Sequence, residues 1–147
     1  MKKLFTIFAC ASMAFTLSAQ DSEQAAGSYY LGTGNALDLV DIFVGGVDLT
    51  ATVGYAVIDD LVVTGAINGA TDNLMLDLGV RYFWNGVFFQ VVAADAINDG
   101  LKGVSIGAGK YFNLGSVSDR FYIDPQINYS LAEDGGFETM IGLGARF

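Results

Sequence analysis

The stretch from Phe137 to Phe147 reads Phe-Glu-Thr-Met-Ile-Gly-Leu-Gly-Ala-Arg-Phe, and its alternation constrains the fold more than any other feature of the chain. In a strand, successive side chains point to opposite faces. Phe137, Thr139, Ile141, Leu143, Ala145 and Phe147 then share one face, which is apolar and ends in an aromatic ring on either side. Glu138, Met140, Gly142, Gly144 and Arg146 share the other, which offers two glycines and two charges. A sheet of such strands has one greasy face and one face of small or polar groups. The question is which face turns inward.

The same alternation recurs upstream. Strands are expected at Gly27 to Gly34, Asp48 to Ile58, Leu61 to Asn68, Leu74 to Trp84, Val87 to Asp95, Lys102 to Asn113, Asp119 to Leu131 and Phe137 to Phe147. Asn85-Gly86 is a strong two-residue hairpin signal, because both residues tolerate positive φ. Asp59-Asp60 and Leu114 to Ser118 are the other tight turns. Longer connections are expected at Asn35 to Val47, Gly69 to Asn73, Ala96 to Leu101 and Ala132 to Gly136. Asn35 to Val47 is hydrophobic but is assigned to loop. Strands of this length approach the ~9–11 residues that a tilted strand needs to cross a bilayer. Tight turns alternating with longer loops are how outer-membrane barrels are built, and an even strand number is expected to put both termini on the periplasmic side.

Two observations decide the orientation. The non-apolar face is rich in Gly, Ala, Ser and Thr, whereas a water-facing strand carries bulk and charge. A narrow lumen needs small residues so that its wall can close. Second, Tyr29, Tyr55, Tyr82, Trp84, Phe89, Phe112, Phe121 and Phe147 all sit at the level of the tight turns and the chain end. They would form one aromatic girdle, as expected at a membrane–water interface. The opposite ring is thin, with Tyr129 and Phe137. A soluble sandwich, with its apolar face inward, explains neither observation. The expected fold is therefore all-β: an eight-stranded antiparallel up-and-down transmembrane β-barrel with apolar side chains outside.

The start of the chain agrees with export. Lys2 and Lys3 precede an apolar run from Leu4 to Leu17, followed by Ser18-Ala19. That pattern describes a signal peptide over residues 1–19, cleaved after Ala19. The run is short of the ~20 residues of a membrane helix. Cys10 lies within it, after Ile7-Phe8-Ala9, which fit a lipoprotein acceptor site poorly. Cleavage leaves no cysteine, so disulfides do not stabilise the mature chain. Residues 20–26 read as a flexible periplasmic lead-in and residues 27–147 as one barrel domain.

Net charge is −9, and the leader removes two basic residues and no acidic one. An acidic chain without a basic patch excludes nucleic-acid binding. Mean hydropathy is +0.44, yet no stretch after the leader reaches the ~18 apolar residues of a spanning helix. Closed barrels are the other structure that satisfies every backbone group in lipid.

The leader ending in Ser-Ala-Gln, Gly-Val-Arg-Tyr-Phe at Gly79 to Phe83, and the terminal Gly-Leu-Gly-Ala-Arg-Phe resemble small Gram-negative outer-membrane barrels. The group is the eight-stranded OmpX-like and OmpA-transmembrane-domain-like barrels, especially the short Bacteroidetes versions. The resemblance covers nearly the whole mature chain and rests on pattern. It implies an outer-membrane location, contact with lipid and lipopolysaccharide, and reading of Phe147 by the barrel-assembly machinery. The outer loops here are shorter than the protruding sheet of OmpX.

Histidine is absent. That removes the Ser-His and Asp-His pairs on which barrel-shaped hydrolases and acyltransferases rely, and no enzymatic activity, catalytic residue, cofactor or metal site is expected. The inward polar set is Asp77, Arg81, Gln90, Arg120, Asp124, Gln126, Glu138 and Arg146, with Asn128. Buried charges must be paired, so these are expected to form a lumen network. A narrow gated path for small solutes is the alternative, although eight strands leave room for little beyond their own side chains. The acidic loops carry Asp38, Asp41, Asp72, Asp95, Asp99, Glu133 and Asp134 without EF-hand spacing. They read as a solvated surface, with a weak divalent bridge to lipopolysaccharide as a minor alternative. Pro125 lacks a donor, so a bulge or broken ladder is expected there. The function read from the sequence is a monomeric, non-enzymatic barrel with a filled lumen, structural or acting as an interaction surface through its loops. The alternative is a narrow channel for small solutes or hydrophobic ligands.

Overall fold

The computed structural model describes residues 24–36, 51–68, 74–96, 103–132 and 134–147. The leader, residues 20–23 and most of Asn35 to Val47 lie outside the described residues. So do residues 48–50, 69–73, 97–102 and 133.

The strands are β1 Tyr29–Thr33, β2 Ala51–Ile58, β3 Leu61–Asn68, β4 Met75–Trp84, β5 Val87–Ala94, β6 Gly103–Lys110, β7 Phe112–Asn113, β8 Phe121–Ser130 and β9 Phe137–Arg146. From β1 to β6 and from β7 to β9 each strand pairs antiparallel with its sequence neighbour; β6 pairs with β8, and β1 pairs with β9, which closes the sheet. β6 and β7 both pair with β8 and are two halves of one barrel strand. The architecture is an eight-stranded, closed, antiparallel, up-and-down barrel.

The tight turns follow from their residues. Asn85 and Gly86 have φ of 55° and 74°, the left-handed values of a type I′ turn between Trp84 and Val87. Asp60 has φ of 62°, and the β2–β3 register shifts between Ala56 and Ile58, so this hairpin closes with a bulge. The third turn folds on itself through Val117 and Ser118 N–H groups donating to the Leu114 carbonyl.

The β6–β7 break lies opposite Pro125. Ladder pairs run to Gly109↔Gln126 and resume at Phe112↔Ile123 in the same register. Lys110 and Tyr111 are skipped, facing Pro125 and Asp124. The ladder is thus broken without a bulge, and β8 keeps its pairing with β9 through Pro125↔Ile141.

Alternation sorts the side chains as the pleat demands. Outward positions hold exposed apolar residues, among them Leu78 at 48%, Ile141 at 49% and Trp84 at 58%. Inward positions hold the buried ones. At the turn end these are Tyr30, Ala56, Val62, Phe83, Phe88, Tyr111 and Tyr122, a single apolar cluster. Deeper in the bore they are Gln90, Asp124, Gln126 and Asn128.

Residues 20–26 were expected to be a flexible lead-in; the described ones among them, from Gln24 to Ala26, are hydrogen-bonded to the barrel. Gln24 is buried and accepts a hydrogen bond from the Tyr30 hydroxyl. Its carbonyl accepts from Asp60 N–H, and Ala26 N–H donates to Asp59 Oδ1 at 2.8 Å. Restoring a donor at the broken ladder should stabilise the barrel. Pro125→Val is expected to raise unfolding stability by about 1 kcal/mol, the net worth of one added hydrogen bond. Urea titration of the refolded protein measures this, and no gain would place the cause of the break elsewhere.

Candidate functional site

The bore has three levels. At the turn end the aromatic rings are stacked in a chain. Phe83 lies 5.5 Å from Phe88 and 6.1 Å from Tyr111, and Tyr111 stacks on Tyr122 at 4.4 Å. Tyr30 meets Tyr122 edge-on at 6.2 Å. A void of about 10 Å³ among Tyr30, Val62, Phe83, Tyr111 and Tyr122 is at the lower limit for one water.

Above the rings lies a polar layer. Arg81 Nη1 and Asp124 Oδ2 are 2.8 Å apart, with side chains 14% and 4% exposed. Arg81 Nε donates to Gln90 Oε1 at 2.8 Å. Gln90 Nε2 donates to Gln126 Oε1 at 2.7 Å and to Asn128 Oδ1 at 2.6 Å. The guanidinium also lies 4.6 Å over the Phe88 ring, joining this layer to the aromatic one. Among the described residues no charge is left alone at this depth, as burial requires.

Glycine makes the layer possible. In register, Gln90 faces Gly107 and Gly107 faces Asn128, so two long amides meet above a strand with no side chain between them. A Cβ on Gly107 would fall 2.0 Å from Asn128 Oδ1. Asp124 likewise lies across Gly142, where a Cβ would fall 1.9 Å from its Oδ1. The glycine-rich strands β6 and β9 are the floor on which side chains of β5 and β8 lie.

The third level is a cup of about 680 Å³ at the loop end. The amides and Arg81 form its base, and Thr52, Thr64, Ser105 and Ser130 contribute wall hydroxyls. Asp77 lines it, accepting from Asn68 Nδ2 and from the Asp95 N–H at 2.9 Å. Glu138 stands at the mouth, exposed.

Of the polar set read from the sequence, Arg81, Gln90, Asp124 and Gln126 are brought together. Asp77 and Glu138 line the cup without joining them. Arg146 is half-buried opposite Tyr30 in the β1–β9 ladder. Arg120 is exposed and corrects the expectation of a lumen position. It precedes β8 in the turn, where its carbonyl accepts from Arg146 N–H, and its guanidinium lies 5.7 Å over the Phe147 ring. On the outside, Tyr29, Tyr55, Tyr82, Trp84, Phe89, Phe121 and Phe147 are exposed and Phe112 is half-buried. Tyr29 and Tyr55 are register partners with rings 5.0 Å apart, and Tyr82 pairs with Phe89. Tyr129 and Phe137 make a similar pair at the other end, at 4.7 Å.

The aromatic layer of Tyr30, Phe83, Phe88, Tyr111 and Tyr122 is absent from the inward set read from the sequence. The signal was available: Phe83 and Phe88 are the inward residues nearest the Asn85-Gly86 turn. Among the described residues no group of three or more His, Cys, Asp or Glu could hold a metal ion.

The class defined by this fold and interior is a small closed β-barrel, apolar outside and polar within. Comparison with protein-family models, curated proteins and solved structures finds no match to this chain.

The polar layer makes a strong demand on stability. Arg81→Met strands a buried carboxylate and should cost about 3–5 kcal/mol, while Arg81→Met with Asp124→Leu should recover most of it. Gly142→Ala should cost about 1–3 kcal/mol by overpacking. Gly136→Ala, where a Cβ meets nothing within 4 Å, should be neutral. Denaturant midpoints of the four variants check all of this.

Proposed function

We propose that this chain is an outer-membrane β-barrel, exported by its leader, with no enzymatic activity. In this reading its outer wall contacts lipid and lipopolysaccharide, Phe147 is read by the barrel-assembly machinery, and its role is structural or surface-interactive. The observation that carries the reading is the inversion of polarity. Rings and aliphatic side chains from Tyr29 to Phe147 are exposed around the wall, while Arg81, Asp124, Gln90, Gln126 and Asn128 are inside. Continuous apolar exposure of this extent marks a membrane or protein-binding surface. A closed barrel leaves no strand edge, which is what lipid requires. The exposed aromatics at the turn end suit the interface girdle of such proteins. Among the described residues no helix is long and apolar enough to cross a membrane, a fact that does not bear on strands. The OmpX-like or OmpA-like part of this proposal rests on the sequence patterns at Gly79 to Phe83 and at the chain's last residues alone.

The lumen in this proposal is closed at the turn end by the aromatic layer and Gln24. The second reading, a narrow channel, draws support from the open cup. The stacked rings and the 10 Å³ void beneath it weigh against a through path.

Expressed in a Gram-negative host, the protein is expected in the outer-membrane fraction, with gel mobility that changes on boiling. Recovery from the soluble fraction would sink the membrane reading. In planar bilayers, folded monomer is expected to give no stable nanosiemens openings. Such openings would favour the channel.

A further inference from the structure

We propose that the cup binds a small uncharged polyhydroxyl compound, of mono- or disaccharide size. This goes beyond the structural role proposed above and requires only the folded barrel.

The volume, about 680 Å³, lies within the roughly 300–1,000 Å³ of small-molecule sites. Its base is built rather than incidental. Asn128 is 7% exposed and lines the cup. Its Oδ1 is used by Gln90, while its Nδ2 has no hydrogen-bond partner among the described residues. Gln126 Nε2 reaches the Gly34 carbonyl only at 3.5 Å, which leaves it a second N–H to offer. The base thus presents N–H donors to the cup, which an acceptor atom of a ligand would fill.

The walls call for the opposite. Glu138 has no partner among the described residues. Asp77 is met by neutral donors, Asn68 and the Asp95 N–H. The cation among the described lining residues, Arg81, is taken up by Asp124 and Gln90. Among the described residues, two carboxylates therefore face the space without a compensating charge. Anions are disfavoured there. An ammonium would suit the walls but has no lone pair for Asn128. A hydroxyl group both accepts and donates, and a ligand carrying several serves base and walls together. Met75 and Met140 offer apolar surface to the C–H faces of such a ligand.

The test is side-chain amide NMR of the refolded full barrel, in a detergent without a sugar headgroup, titrated with maltose, spermidine and citrate. Maltose is expected to shift the Asn128 and Gln126 amide signals saturably, and citrate to leave them unmoved. Asn128→Leu should weaken maltose binding by roughly tenfold, the worth of one hydrogen bond. Glu138→Gln, at an exposed residue without partners among the described residues, should keep the fold and weaken binding by a smaller factor. Saturable binding of spermidine but not maltose would reduce the cup to an acidic well and overturn the proposal. So would equal response to all three compounds, or none. Heat-modifiable mobility of the same samples reports the barrel separately, so a failure of binding is distinguishable from a failure of the membrane reading.

Discussion

Closure of eight strands fixes how much can be put inside, and the exchange of bulk between neighbouring strands solves that constraint. Where β5 and β8 send Gln90, Asp124, Gln126 and Asn128 inward, β6 and β9 answer with Gly107, Gly109, Gly142 and Gly144. The long side chains lie sideways over bare backbone and meet. Without those glycines Asp124 and Asn128 would collide with the wall, and the buried pair with Arg81 would lose its geometry. Glycine weakens a strand taken alone. Here it is placed where the packing of the neighbours returns more than the backbone loses.

The interior is ordered by level, each suited to what lies next to it. The rings at the turn end need no polar partner apart from their hydroxyls, and Gln24 supplies one from the segment before β1. Arg81 belongs to both worlds: its edge bonds Asp124 and Gln90, and its face covers Phe88. Above it the polar groups open onto space rather than onto one another.

The outside obeys a different rule. Polar backbone groups are consumed by the ladder all round, so the wall has only side chains to present, and these are apolar. Where a ladder bond is missing, at Pro125, the fault is confined to Lys110 and Tyr111, because β8 retains its other neighbour and the register does not slip. Cations appear at the edge of the wall and rest on rings, Arg120 on Phe147 and Lys110 on Phe112.

The amino-acid pattern determined the strands, their turns and the sorting of faces, because period-two alternation and the positive-φ preferences of Asn85 and Gly86 are local properties. It also determined that Arg81 and Asp124 needed company. It did not determine which residues would supply it. Arg120 has the parity of a lumen residue, yet the turn at β8 ends the pleat before reaching it. The meeting of Gln90 with Asn128, and the stack of Tyr30, Tyr122, Tyr111 and Phe83, depend on the stagger between strands far apart in sequence. Stagger is set only when the sheet closes, since each strand's height is then fixed by both neighbours at once.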